Sequence, residues 1–352
     1  MILAGGAGER FWPASRSAFP KPFLRVVGGR TLLDATAARA RRVAAKDGLW
    51  VVCGGEHARP IRAAMKLPTS RVLVEPARRN TAAAVALAAL RIRAVDPEAV
   101  MLVLPADHHI PDLRAFAADV RRAARAAARA QVLVTLGVEP TRPETGYGYI
   151  RVGAPAGPDH PGLFRVRRFV EKPSAARARD FLRRGGHLWN AGIFVWSARA
   201  ILEEIERYMP ELASALEPVA AAGGRSSAPA LARAYLRAPS APIDTGVMER
   251  SHRVWTLPVR WHWNDVGTWE SLAQELGVAP GRSRTVGGEL AFDDLGGNLV
   301  WGCEDRPIAL LGVEGLAVID TGDALLVTRL DRSNEVRKVV AALKERGRSS
   351  VT

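Results

Sequence analysis

Chemistry-bearing residues appear almost at the start of the chain. Gly5, Gly6 and Gly8 stand in the run Leu3-Ala4-Gly5-Gly6-Ala7-Gly8-Glu9-Arg10, and Lys21 follows between Pro20 and Pro22. Glycines without Cβ let successive backbone N–H groups close around phosphate oxygens, and nearby cations neutralise the charge. The two prolines hold Lys21 on a stiff segment, which suits an aimed ammonium. Two templates are excluded. The third glycine of a dinucleotide fingerprint would fall at Phe11, and no Gly-Lys-Ser/Thr follows as a Walker loop requires. The other reading of this stretch is a plain β-to-α turn with solvated cations.

The elements that must position these residues alternate between strand and helix patterns through the first half. Residues 49–53, 100–104 and 131–138 read as strands, and the Ala-rich stretch 80–95 as a buried helix. That alternation argues for a parallel sheet with helical crossovers, whose ligands sit at the carboxyl ends of the strands. Residues 146–152 and 164–170 turn more antiparallel, and 220–229 reads as a surface loop. After about residue 277, short apolar runs alternate with Gly/Asp turns, which predicts a small all-β module closed by a helix over 334–343.

At 352 residues and 48% hydrophobic content, the chain suits one large α/β domain and a smaller one. It contains no apolar run near the roughly 20 residues a membrane span needs. The glycine turn leaves no room for a signal peptide, and Cys53 and Cys303 suggest neither a disulfide framework nor a zinc site. A reducing cytoplasm is the expected location. The net charge of +14 invites a nucleic-acid reading, but only six of the 50 basic residues are Lys. The remaining Arg residues interleave with Ala on predicted helix faces, without recognition aromatics, so no nucleic-acid partner is expected.

Six ordered motifs carry a resemblance. The glycine run with Pro20-Lys21-Pro22 is followed by Glu75-Pro76-Ala77-Arg78-Arg79-Asn80-Thr81, Leu104-Pro105-Ala106-Asp107-His108, and Phe169-Val170-Glu171-Lys172-Pro173. Trp189-Asn190-Ala191-Gly192-Ile193-Phe194 and Trp263-Asn264-Asp265-Val266-Gly267-Thr268-Trp269 complete the set. Together they resemble the sugar-1-phosphate nucleotidyltransferases, and within them the guanylyltransferases acting on mannose 1-phosphate. The resemblance implies a Rossmann-like mixed, mainly parallel α/β sheet flanked by helices over 1–277. A small left-handed β-helix module with a C-terminal helix would occupy 278–352. It also implies GTP and mannose 1-phosphate as substrates, Mg²⁺ as cofactor and a homodimer. The alternatives are another hexose 1-phosphate or nucleotide, or a non-catalytic regulatory relative, which would have no reason to keep Arg10, Lys21, Asp107 and Asp265 together.

Under this resemblance Arg10 and Lys21 are the catalytic charge stabilisers. Leu3, Gly5, Gly6, Gly8, Glu75, Asn80, Thr81 and Asp107 face the nucleotide. Asp107 and Asp265 form the metal pair, because Mg²⁺ takes oxygen ligands and keeps water and phosphate in its shell. Their plainer readings are a helix N-cap and a turn residue. Tyr147, Gly148, Glu171, Lys172, Asn190 and Asp244 match the sugar-phosphate side, with a strand-end ion pair as the plainer reading of Glu171 and Lys172. His108 and His109 lack a third ligand at helical spacing and stay unassigned. Trp255, Trp261, Trp263 and Trp269 read as core or domain-interface residues.

Overall fold

The computed structural model describes residues 1–6, 8–224, 226–302 and 306–352; Ala7 of the glycine turn and Cys303 lie outside the described residues. The chain forms two compact units. A sheet unit comprises Met1–Gly5, Thr36–Pro105 and Ile110–Trp263; a β-helix unit comprises Gly6–Ala35, Ala106–His109 and Asn264–Thr352. The units therefore interleave along the sequence, whereas the expected regions 1–277 and 278–352 are successive.

Among the described residues the sheet unit holds nine strands: β1 (Ile2–Ala4), β2 (Val51–Gly54), β3 (Val72–Glu75), β4 (Val100–Pro105), β5 (Leu133–Val138), β6 (Tyr149–Pro155), β7 (Phe164–Val170), β8 (His187–Ser197) and β9 (Val254–Val259). Their order is β3-β2-β1-β4-β8-β5-β9-β7-β6. The first four are mutually parallel, as the strand–helix alternation predicts. Strand β8 then inserts antiparallel between β4 and β5. The antiparallel β6–β7 pair falls where the pattern changed. Helix α1 (Asn80–Val95) is buried along nearly its whole length, which its small apolar residues on every face require. The expected loop at 220–229 is shorter, because helices Pro210–Ala221 and Ala228–Arg237 take its ends. No helix among the described residues is long and apolar enough to cross a membrane.

In the β-helix unit, β10 (Arg284–Val286), β12 (Leu299–Trp301) and β14 (Leu316–Asp320) stack in parallel, register Arg284↔Leu299↔Ala317. Strands β11 (Glu289–Asp293) and β13 (Pro307–Leu310) form a second parallel face, and β15 (Leu325–Arg329) closes antiparallel on β14. Leu299, Ala317 and Ile319 pack with Phe11, Trp12, Trp269 and with Val336 and Val340 of the last helix, α2 (Val336–Glu345). The residues after the glycine turn thus share a core with the β-helix.

Candidate active site

In the β-helix unit the candidate residues converge on Lys21. Lys21 is 6% exposed, and its Nζ donates to Asp107 Oδ2 at 2.7 Å and to the Asp265 carbonyl at 2.8 Å. Burial alone would raise the Asp107 carboxyl. The charge and hydrogen bond of the Lys21 ammonium overcome that and hold it below the usual carboxylate value. Asp107 is not a helix N-cap; Asp112 fills that role, accepting from the Arg114 and Ala115 amides. One oxygen of Asp265 does serve its turn, accepting from Gly267 N at 3.1 Å. The turn reading of Asp265 is the one this contact shows. Two hard carboxylates fit a divalent cation that draws its other ligands from phosphate and water. No set of three or more His, Cys, Asp or Glu among the described residues could hold a metal ion unaided.

The turn holding Asp265 is strained. Val266 is buried with φ +45°, a left-handed conformation that a β-branched residue rarely adopts. Asn264 over-determines it: its Oδ1 accepts from Val266 N at 2.7 Å, and its Nδ2 donates to Glu275 Oε1 at 2.7 Å. Asn80 (φ +61°) and Lys172 (φ +45°) share the left-handed region. Three of the predicted motifs thus carry a strained non-glycine residue, as functional segments often do.

Of the three glycines, only Gly8 is demanded by the protein itself. It has φ +66°, and a Cβ there would stand 2.4 Å from Lys21 Cβ and 2.8 Å from Ser15 Oγ. Around a Cβ at Gly5 or Gly6 there is room. Gly8→Ala is expected to displace Lys21 and destabilise the unit by about 1–3 kcal/mol. Thermal denaturation and kcat measured on one preparation check this; an unchanged pair of values would remove Gly8 from the argument. Arg10 is exposed, with no hydrogen bond or ion pair among the described residues.

In the sheet unit, Leu3 and Gly5 lie at and just after β1, and Glu75 ends β3. The Glu75 carboxyl is pushed up to about 7 by burial, which outweighs the opposing hydrogen bond with Tyr235. Its Oε1 is buried without a hydrogen-bond partner. Asn80 is exposed at the start of α1, its Oδ1 accepting from Thr81 N. Thr81 is a structural tie as well: its hydroxyl accepts from Ile243 N at 2.8 Å, the residue before Asp244. Arg79 donates to the Tyr235 and Leu236 carbonyls, and Arg78 pairs with Glu56, so both have structural partners.

The six predicted sugar-side residues do come together. A bulge in β8 follows Asn190 and re-aims the strand. Asn190 Oδ1 accepts from Thr135 Oγ1 (2.9 Å) and Gly192 N (3.1 Å), which leaves Nδ2 to donate to Asp244 Oδ1 at 2.8 Å. Burial first, and the Glu171 charge second, push the Asp244 carboxyl up to about 7; Lys172 and Asn190 oppose the rise. Lys172 Nζ is 2.6 Å from Glu171 Oε1. Gly148 lets the cluster close, since a Cβ there would lie 2.6 Å from Glu171 Oε2 and 3.3 Å from Asn190 Cβ. Tyr147 is wedged edge-on between Trp189 (5.2 Å) and Trp263 (5.1 Å). Trp255, Trp261, Trp263 and Trp269 are buried, as read from sequence.

Residues 1–277 match the nucleotidyl transferase family. The chain belongs to that family. Residues 294–343 also match a MannoseP isomerase/GMP-like beta-helix domain, in keeping with the stacked strands. The xanthan biosynthesis protein XanB of Xanthomonas campestris pv. campestris (strain B100) is 40% identical over 100% of this chain and 74% of its own length. The mannose-1-phosphate guanylyltransferase of Escherichia coli (strain K12) is 37% identical over 99% of this chain and 74% of its own length. A solved structure described as mannose-1-phosphate geranyltransferase from Thermus thermophilus superposes with a TM-score of 0.85 at 37% identity. The match covers 97% of this chain and 98% of that one.

Two supporting residues of this nucleotidyltransferase escaped the sequence reading. Glu249 accepts the Glu171 backbone N–H at 2.6 Å, fixing the strand end that carries Glu171 and Lys172. Its only signal was its place five residues after Asp244. Glu275 meets His109 Nε2 at 3.5 Å and anchors Asn264, and nothing local marks it. For the sugar-side cluster, Gly148→Ala is expected to raise the KM for the sugar phosphate about tenfold or more while leaving that for the nucleotide within twofold. Steady-state kinetics with each substrate varied in turn decide this; equal rises in both would refute it.

Proposed function

We propose that the enzyme transfers GMP from GTP to α-D-mannose 1-phosphate, giving GDP-mannose and pyrophosphate. The carrying observation is a buried ammonium, Lys21, that grips Asp107 and the Asp265 turn, in the same loop as an unengaged Arg10. The names of the relatives support the choice of base and sugar.

The nucleophile is a phosphate monoester oxygen with a second pKa of about 6, so it is already largely dianionic at neutral pH and needs no general base. The protein's task is to hold two polyanions in line and to stabilise charge on the α-phosphorus and the leaving pyrophosphate. Backbone N–H groups of Gly5, Gly6 and Gly8 serve the phosphates, and Arg10 and Lys21 serve the developing charge. Asp107 and Asp265 would hold Mg²⁺, which when bound supplies further neutralisation of phosphate charge. Leu3, Asn80 and Thr81 form the remaining nucleotide side. Glu75, at the end of β3, belongs to the same nucleotide side. Glu171 and Asp244 accept from sugar hydroxyls, Asn190 and Lys172 orient sugar and phosphate, and Tyr147 with Gly148 shapes the wall. In this reading 1–277 is the catalytic region and 278–352 a β-helix module that pairs two copies in the cytoplasm. Exposed Leu311, Leu325 and Val327 support the pairing.

Pyrophosphate release with each of the four common nucleoside triphosphates, crossed with mannose 1-phosphate and glucose 1-phosphate, tests the proposal. GTP with mannose 1-phosphate is expected to exceed every other pair at least tenfold in kcat/KM. A better pair overturns the substrate assignment; no turnover by folded protein favours a regulatory relative.

A further inference from the structure

The phosphate loop has little to hold it in place from within. Between Gly6 and Leu24 it forms two single helical turns, Glu9–Phe11 and Lys21–Phe23. Its backbone hydrogen bonds are mostly local, such as Phe11 N to Gly8 O and Arg16 N to Phe19 O. Besides the bonds of Lys21 to Asp107 and Asp265 and of the Trp269 indole to the Trp12 carbonyl, long-range fastening comes from residues beyond 320. Trp12 Nε1 donates to the Val351 carbonyl at 2.6 Å, Lys344 pairs with Glu9 at 2.8 Å, and Phe11 and Trp12 pack on Val336 and Val340.

The most directional fastener is Arg16. Its Nη1 donates to Asp323 Oδ2 at 2.5 Å and its Nη2 to Asp323 Oδ1 at 2.6 Å, a bidentate fork. Nη2 also donates to Thr321 Oγ1 at 2.9 Å, and Nε to the Pro13 carbonyl at 2.9 Å. Every guanidinium nitrogen is therefore engaged. Asp323 and Thr321 sit in the turn between β14 and β15, which Thr321 stiffens by sharing its one hydroxyl proton between Asp323 Oδ1 and the Ala324 carbonyl. An exposed ion pair is ordinarily worth little, but a bidentate fork in a network is the recognised exception. The Asp323 carboxyl is held far below its ordinary value, chiefly by its hydrogen bond from Arg16. Arg16 lies six residues after Arg10 and five before Lys21.

We propose that Arg16, locked by Asp323 and Thr321 of the β-helix, is a positioning residue for the triphosphate-handling groups Arg10 and Lys21. The β-helix then acts in catalysis as the mould of the phosphate loop. This rests on the reading above that Arg10 and Lys21 serve the triphosphate.

The test uses the full chain with Asp323→Ala, Arg16→Lys and the exchanged pair Arg16→Asp/Asp323→Arg, assayed well below the melting temperature of each. Both single variants are expected to lower kcat/KM for the triphosphate about tenfold while the sugar-phosphate KM stays within twofold. The exchanged pair is expected to recover at least part of the loss. Lower melting temperatures with unchanged kcat and KM values would overturn the proposal, leaving the fork as a stability element only. Triphosphate binding, followed by tryptophan fluorescence, separates the two readings. If wild type binds triphosphate without turnover and Asp323→Ala weakens that binding, the clamp stands and the proposed reaction falls. If wild type neither binds nor turns over, both fall.

Discussion

Replacing Lys21 by Met is expected to lower kcat by about 10²–10³-fold, the usual loss when one preorganised charge stabiliser leaves a transition state. Met matches the length and apolar stem of Lys21 and keeps contact with Phe11, whose ring lies 5.6 Å from Nζ. The change therefore removes the charge more than the packing. Two further effects follow from the geometry. Asp107 loses the partner that holds its carboxyl low, so that carboxyl rises, and the Asp265 carbonyl loses its donor. Breaking a fully buried ion pair costs about 3–5 kcal/mol. Asp107 keeps 31% of its side chain exposed, so a smaller loss of about 1–3 kcal/mol is expected here. Asp107→Asn in the Lys21→Met background should recover stability without recovering rate. Kinetics and chemical denaturation of the two variants check this. A kcat within threefold of wild type in Lys21→Met would remove Lys21 from the chemistry.

Asp244→Asn is expected to separate stability from activity in the opposite direction. The Asp244 carboxyl titrates near 7 in the folded enzyme and near 3.8 when unfolded. Between those values the folded state binds more protons than the unfolded one, so stability falls as pH rises from about 4 to 7 and is level above. Asn has no proton to lose and can still accept from Asn190. The variant should therefore lack this pH dependence and gain on the order of 2–4 kcal/mol at pH 8 relative to wild type. The expected cost is a tenfold or greater fall in kcat/KM for the sugar phosphate, since a hydroxyl acceptor has lost its charge. Denaturation curves at pH 5 and pH 8 decide it: an equal difference between variant and wild type at both would contradict the raised carboxyl. Glu75, raised to about 7 largely by burial, has the same sign and the same window.

The parts of this fold that were legible in sequence are those set by local pattern. Helix α1 follows from small apolar residues on all faces, and the β6–β7 pair from a change of period. The antiparallel insertion of β8 was not legible, because strand order is decided by long-range packing. The same division holds at the site. Motif residues such as Lys21, Asn190 and Asp244 could be named from the family resemblance. Their partners could not, because Lys21 meets Asp265 across 244 positions and Glu171 meets Glu249 across 78. Gly8 was read as a phosphate-binding glycine; its closeness to Lys21 Cβ shows that the protein's own packing also requires it.

Because the β-helix unit is gathered from Gly6–Ala35, Ala106–His109 and Asn264–Thr352, the loop with Arg10 and Lys21 is among the first parts synthesised and among the last to acquire its partners. On the ribosome, Lys21 emerges long before Asp265, and Phe11 and Trp12 before the strands that bury them. Contacts this distant in sequence carry a high loop-closure cost and form slowly. During translation these aromatics stay exposed and open to aggregation or chaperone capture. Released chains ending at residue 277 should accordingly display a folded sheet unit with a protease-sensitive amino-terminal loop, and competence to handle triphosphate should arise only once the β-helix has been made.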